Sequence, residues 1–285
     1  MESSRPTALL LMLAAAFLFS VMSALAKHAA SGMSSAQVVF FRSLTAAAVL
    51  AAFHLLRYRG ESILGTNRPL LLLRGVFGAL ALMLFFYSLT GLAVADALLI
   101  NQTAPVFVLP LARIFLGEPV RKAQVALVPV TMLGVVLVLE PTFHVASLHG
   151  IAAFLSAILS AGAYVCIRKI TRQEHAHVVI LYFAIAAVLV SAPQTVMHFT
   201  PPSALLWLVL VAIGVFSVIA QAAMTVAYRF DRAGRVAMAG TMGPVFAGVM
   251  DAVFWNRFPG VQTLVGAAIV IGSLLALEFF RRQQD

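Results

Sequence analysis

Apolar residues run along this chain in ten blocks of roughly twenty, each closed by a short cluster of charged, glycine or proline residues. The blocks fall at about 8–26, 37–56, 70–89, 95–116, 123–139, 150–167, 178–197, 204–226, 236–254 and 261–279. About twenty helical residues cross the hydrocarbon of a bilayer, which is about 30 Å thick. Backbone amides in hydrocarbon must find partners within the segment, and a helix provides them. The pattern predicts an all-α polytopic membrane protein of ten transmembrane helices. The weakest separator is Leu89-Thr90-Gly91-Leu92-Ala93, which barely interrupts the apolar run. The first block follows a weakly charged start, Met1 to Arg5, and shows no convincing small-residue cleavage site, so it reads as a retained helix.

Two blocks are interrupted from within. Asn101-Gln102-Thr103-Ala104-Pro105-Val106-Phe107 is echoed 139 positions later by Gly240-Thr241-Met242-Gly243-Pro244-Val245-Phe246. Proline has no N–H to donate, so Pro105 frees the carbonyl of Asn101, and Pro244 frees that of Gly240. At membrane depth such breaks are tolerated where backbone lines a cavity, and paired breaks in two halves point to a carrier's substrate site. Hinges are expected at Pro105 and Pro244, with Gly240, Gly243 and Gly248 letting neighbours approach closely. Leu133 to Leu137 is also echoed by Ile271 to Leu275, and Ala26-Lys27 by Arg168-Lys169. The chain divides into residues 1–141 and 142–285 with five spans each. Five is odd, so the second half enters the membrane from the opposite side and the halves are inverted repeats.

Composition agrees: 62% of the 285 residues are hydrophobic and only 10% are charged, against about 25% charged in soluble proteins. The net charge of +9 could indicate nucleic acid, but its placement argues for orientation. Arg57 and Arg59, Arg121 and Lys122, Arg168 to Arg172 and Arg229 to Arg235 occupy every second loop, with Arg74 counted on the same side. Lys27, Arg42 and Arg257 are assigned to the other. The positive-inside rule then places both termini in the cytoplasm. Cys166 is the only cysteine, so no internal disulfide forms.

Phe85-Phe86-Tyr87, Ala95-Asp96-Ala97-Leu98, Ala104-Pro105-Val106-Phe107, Phe115-Leu116-Gly117-Glu118 and Gly134, with Lys27, Gln37 and Phe41-Arg42 in the first hairpin, resemble EamA-type carriers of the drug/metabolite transporter superfamily. Within it the chain looks most like the YddG-type bacterial amino-acid exporters. The resemblance implies a multi-pass carrier of the bacterial inner membrane working by alternating access. One departure is clear: the family's second Gly-Glu turn, after the ninth helix, is replaced by Trp255-Asn256-Arg257-Phe258. The two halves therefore need not gate identically.

Polar residues three and four apart share a helix face. Ser20, Ser23 and Lys27 form such a stripe on the first helix, Ser156, Ser160 and Tyr164 on the sixth, and Ser217, Gln221, Thr225 and Tyr228 on the eighth. Asn101, Gln102, Thr103 and Thr241 join from the broken helices, and Tyr87, with Phe85 and Phe86, would supply an apolar wall. For a single serine, bonding to its own helix backbone or gluing helices together is the stronger reading. The amides of Asn101, Gln102 and Gln221 are costlier to bury unpaired and point to substrate binding. Asp96, Glu118, Glu140, Asp251 and Glu278 all sit near span ends, leaving no carboxylate near a midplane to carry protons. The expected substrate is neutral or zwitterionic, an amino acid including aromatic or hydrophobic ones, moved without obligatory proton coupling. A proton-coupled drug or metabolite exporter is the alternative.

An intramembrane enzyme is the competing class, and it needs clustered carboxylates or histidines. The close pair His175 and His177 reads as a solvated loop feature. His54 lies near a span end and His144, His149 and His198 lie in or near loops, with no buried partner visible. The expected partners are a small-molecule substrate and membrane lipid, with no cofactor, metal or nucleic acid. Oligomeric state is left open.

Overall fold

The computed structural model describes residues 5–29, 32–60, 62–92, 94–142, 147–256 and 258–282, without the side chains of residues 5, 6, 27, 281 and 282. Lys27's side chain, His144 and Arg257, each given a place above, lie outside that description. The described residues form α1 (Arg5–Ala29), α2 (Ser35–Arg57), α3 (Arg68–Ser88), α4 (Val94–Asn101), α5 (Ala104–Leu116), α6 (Lys122–Leu139), α7 (Leu148–Ile170), α8 (Ala176–Met197), α9 (Ala204–Phe230), α10 (Ala233–Gly240), α11 (Gly243–Trp255) and α12 (Val261–Arg282). Ten stretches are long and apolar enough to cross a membrane, with α4–α5 and α10–α11 each making up one of them. The weak separator after α3 is a true turn, in which the Leu92 N–H returns to the Ser88 carbonyl at 2.9 Å.

Local chemistry sets the ends. Ser34, Ser147 and Ser203 cap α2, α7 and α9 by accepting the backbone N–H of Gln37, Gly150 and Leu206. Gly117 (φ 66°) ends α5 in the left-handed conformation, and Asn256 (φ 53°) does the same for α11. Asparagine tolerates that conformation better than most residues, so the departure from Gly-Glu keeps the turn while losing the acid.

The repeat is visible in register. α10, α11 and α12 begin 139 residues after α4, α5 and α6. The halves interleave: α1 packs on α9 and α3 on α7, while α2 packs on α8 and α6 on α12. Swapping the halves maps the first contact onto the second and the last two onto themselves, as a two-fold axis between inverted repeats requires. α6 and α12 approach through glycines. A Cβ on Gly134 would stand 2.9 Å from the Gly266 carbonyl, and one on Gly266 2.7 Å from that of Gly134. Gly248 makes no such approach, because nothing lies within 4 Å of a Cβ there.

Ten alternating crossings bring both chain ends to one face, the terminal face. Glu118, just past α5, accepts Arg168 Nε at 2.7 Å and the Ala233 N–H at 2.9 Å. Arg168 also donates to the carbonyls of Tyr228 and Arg229. One carboxylate thus ties the first repeat to α7, α9 and α10 of the second. Nearby, Glu174 accepts from Thr66 and Asn67, clasping the α2–α3 loop to the α7–α8 turn.

Two readings of charged residues are corrected by this packing. His54 Nδ1 and His177 Nε2 lie 2.9 Å apart, both buried, and Tyr58 stacks on His177 at 4.5 Å. Of the close pair His175 and His177, His175 is exposed in the loop as expected, but His177 is buried against His54, because the end of α2 and the start of α8 meet across the repeat boundary. Arg74 and Arg42 are not loop cations at all. They are 2% and 7% exposed, inside the bundle on α3 and α2.

Candidate functional site

Each broken span tightens into one turn before its proline, with Thr103, Thr241 and Met242 still in the right-handed helical region. The Gln102 N–H returns to the Leu98 carbonyl at 2.8 Å and the Thr103 N–H to that of Ile100 at 3.0 Å, after which α5 starts afresh at Ala104. Thr241 and Met242 repeat the turn before α11. Pro105 and Pro244 fall in the first helical turn, where an N–H would have no intrahelical partner. The breaks expected around the prolines thus fall just before them, and each proline lies in the first turn of the second half-helix.

The two breaks face one cavity of about 260 Å³. Asn101, Gln102, Ala104 and Pro105 line it from one repeat and Gly240, Gly243 and Pro244 from the other. Ser20, Ser23, Phe19 and Met12 of α1, Tyr164 of α7, and Met224 and Tyr228 of α9 complete the wall. Met12 and Tyr228 are buried at the end towards the terminal face, where the Tyr164 and Tyr228 rings stack at 5.4 Å and 19°. Ser23, towards the opposite face, is exposed. The lining is thus buried towards the terminal face, where the Glu118 ties lie, and becomes exposed away from it.

Hydrogen bonds hold the lining in place. Asn101 Nδ2 donates to Ser156 Oγ at 3.1 Å, and that hydroxyl donates to the Ala81 carbonyl at 2.7 Å. The Ser20 hydroxyl lies 2.9 Å from the Ala16 carbonyl and 3.1 Å from that of Gly243, joining α1 to the second break. The hydroxyl of Tyr228 is buried without a partner. Among the described residues, none that lines the cavity is Asp, Glu, Lys, Arg or His. Its polarity comes from amides, hydroxyls and backbone. The N-termini of α5 and α11 bring partial positive charge, and the C-termini of α4 and α10 bring carbonyls. Among the described residues no three His, Cys, Asp or Glu side chains are grouped to hold a metal ion.

The cavity thus gathers Ser20, Ser23, Asn101, Gln102, Tyr164, Pro105, Gly243 and Pro244 from the sequence candidates. The others lie elsewhere. Thr103 and Thr241 turn their hydroxyls back onto the carbonyls of Ile100 and Met238, as threonines near helix ends do when that acceptor is closest. Ser160 is half-buried on α7 away from the cavity wall. Tyr87 is 44% exposed and stacks on His149 at 5.0 Å near the far face. Phe85 packs instead against Leu92, Ala97 and Ala153. Gln221 accepts from Arg74 at 3.5 Å behind the wall. Sequence reasoning missed Met12, Phe19, Met224 and Ala237, apolar residues that nothing distinguishes from lipid-facing ones. Tyr228 was visible in the polar stripe of its helix but not singled out.

Comparison with known proteins agrees with this architecture. The profile of the EamA-like transporter family matches residues 6–140 and again 148–278. The pseudopaline exporter CntI of Pseudomonas aeruginosa (strain UCBPP-PA14) is 35% identical over 270 residues, covering 94% of each chain. Solute carrier family 35 member G1 of Homo sapiens is 30% identical over 279 residues, 92% of this chain and 76% of that one. A solved crystal structure superposes with a TM-score of 0.85 at 21% identity, over 99% of this chain and 100% of the other, and shares the fold. With two copies of the family's helical repeat and its relatives named as transporters, the chain belongs to the EamA-like transporter family.

Proposed function

We propose that the protein exports a small zwitterionic metabolite of the amino-acid class across the bacterial inner membrane, by alternating access and without obligatory proton coupling. The observation that carries this reading is a cavity between two pairs of half-helix ends that carries no charged side chain among the described residues. A helix N-terminus presents free N–H groups and about half a positive charge, and a C-terminus presents carbonyls and about half a negative one. A zwitterion supplies the matching pair, its carboxylate to the starts of α5 and α11 and its ammonium to the ends of α4 and α10. Asn101, held by Ser156, and Gln102 add orientable amides. The volume of about 260 Å³ falls just below the usual range of ligand cavities, and it suits a small metabolite better than a bulky drug. With no carboxylate in the lining, a proton-for-cation exchange has no group on which both ligands compete.

We take the terminal face as cytoplasmic, which the basic loops support. The structure then corresponds to a carrier closed inwards and open outwards, and export cycles through the reverse state. Opening inwards requires Glu118 to release Arg168 and the start of α10. The name of the bacterial relative, a pseudopaline exporter, supports the direction.

Uptake into liposomes tests the reading, using neutral and aromatic amino acids, a lipophilic cation and a nucleotide sugar, each with and without a pH gradient. Saturable amino-acid uptake that needs no gradient, and falls at least tenfold in Asn101→Ala, is expected. Uptake of the cation alone, driven by protons, would replace this reading with a drug antiporter.

A further inference from the structure

The bundle holds a second polar enclosure that shares no wall residue with the transport cavity. It is a void of about 10 Å³ between α2, α8 and α9, the volume one water-sized particle needs. Arg42, Ser43, Ser217 and Gln221 give it all its polar side chains. Arg42 lies seven residues into α2, about 10 Å from the helix start, too deep to reach either surface without crossing apolar side chains. It is 7% exposed, and its hydrogen bond among the described residues is a long one to Met22 Sδ at 3.6 Å, with Nε unpartnered. Arg74 stands behind Gln221. It is 2% exposed, donates to Gln221 Oε1 at 3.5 Å, lies 4.7 Å over the Phe183 ring, and also has a bare Nε. None of the ion pairs among the described residues involves Arg42 or Arg74.

Two guanidiniums buried in apolar surroundings without a counter-charge are costly, and ionisable groups at such depth are retained for a ligand or a partner. The polar side chains around the void lean to donors. Because the Gln221 oxygen faces Arg74, its NH₂ group is left for the void, beside the Arg42 fork and two hydroxyls. We propose that this enclosure is a seat for one small monovalent anion, held by Arg42, Ser43, Ser217 and Gln221 and balanced by the field of Arg74. Its size favours an inorganic ion of chloride dimensions, admitted by a slight outward shift of the flexible Arg42 side chain. A substrate carboxylate reaching the seat during the cycle has the same chemistry. An occupied seat clamps α2 of the first repeat to α8 and α9 of the second.

The test is the melting temperature of the purified full-length protein in a chloride series against gluconate at constant ionic strength, repeated with acetate. A saturable rise with chloride that is lost in Arg42→Gln assigns the seat to an inorganic anion. A saturable rise with acetate alone, lost in the same variant, assigns it to a carboxylate. Gln221→Glu guards against a variant that fails to fold. It places an internal carboxylate beside both guanidiniums, so it should raise stability in gluconate and abolish the anion response. No saturable response to either anion, or a response unchanged in Gln221→Glu, overturns the proposal. The readout involves no transport, so its outcome is independent of the substrate assignment above.

Discussion

Removing the Glu118 carboxylate should shift the carrier towards its other state. The side chain bonds Arg168 at 2.7 Å and the Ala233 N–H at 2.9 Å, and both partners belong to the second repeat. On the proposed alternating-access cycle these bonds break whenever the terminal face opens. Losing one partner of a fully buried ion pair costs about 3–5 kcal/mol. Here Arg168 keeps two carbonyl acceptors and the side chains are 12% and 9% exposed, which brings the loss nearer 1 kcal/mol. The lost carboxylate at the start of α10 adds about 1 kcal/mol. Glu118→Ala therefore weakens the closed terminal face by about 2 kcal/mol, a shift of about 30-fold in the ratio of the two states. The assay places one cysteine at Ala237, a buried cavity residue near that face, in a Cys166→Ser background. A membrane-impermeant maleimide applied from the terminal side should label it about 30-fold faster when Glu118 is replaced. Equal rates with and without Glu118 would refute the idea that this carboxylate holds the face shut.

Three further outcomes follow from the packing. Gly134→Ala sets a methyl against the Gly266 carbonyl, so it should cost about 1–3 kcal/mol and lower the melting temperature, whereas Gly248→Ala, with open space around it, should not. Burial works to raise the Glu174 carboxyl, but bonds from the Thr66 side chain and the Asn67 and Thr66 N–H groups, with His175 nearby, hold it below its ordinary range. A lowered folded-state value contributes stability above the unfolded value of 4.5 and loses it as pH falls through the folded one, so the protection factors of the Thr66 and Asn67 amides, each rate being taken relative to its intrinsic exchange rate at that pH, should fall in that acid window and stay constant above it. Pro105→Ala and Pro244→Ala should leave the fold intact, since neither proline interrupts a helix, yet let the half-helices rejoin and slow transport; unchanged rates in both would show that the breaks do not depend on proline.

What the sequence disclosed and what it hid have one physical cause. Crossing the bilayer demands long apolar runs, so all ten spans could be read, and the Pro-Val-Phe echo located both breaks. Which way a side chain turns is another matter. In a soluble helix the polar face points to water, but here lipid and core are both apolar, and the outward face carries no signature. Tyr87, Thr103, Thr241 and Ser160 looked equivalent to Tyr164, Asn101 and Ser20 for that reason. Arg42 and Arg74 carried a signal that was passed over, since both fall well inside runs that hydropathy had already delimited as spans. The His54–His177 pair had none, because it joins residues 123 positions apart across the repeat boundary.

The interleaving of the repeats bears on how the chain is made. α1, α2 and α3 find their principal neighbours in α9, α8 and α7, all synthesised later. The first half therefore cannot be a folding unit. It has to wait in the bilayer as inserted but unassembled helices, with Arg42 and Arg74 still lacking Gln221, until the ribosome has delivered most of the second half. For a protein of this design, the vulnerable interval is the time between the third span and the ninth helix, and a chain cut short in that interval presents a quality-control protease with buried cations lodged in lipid.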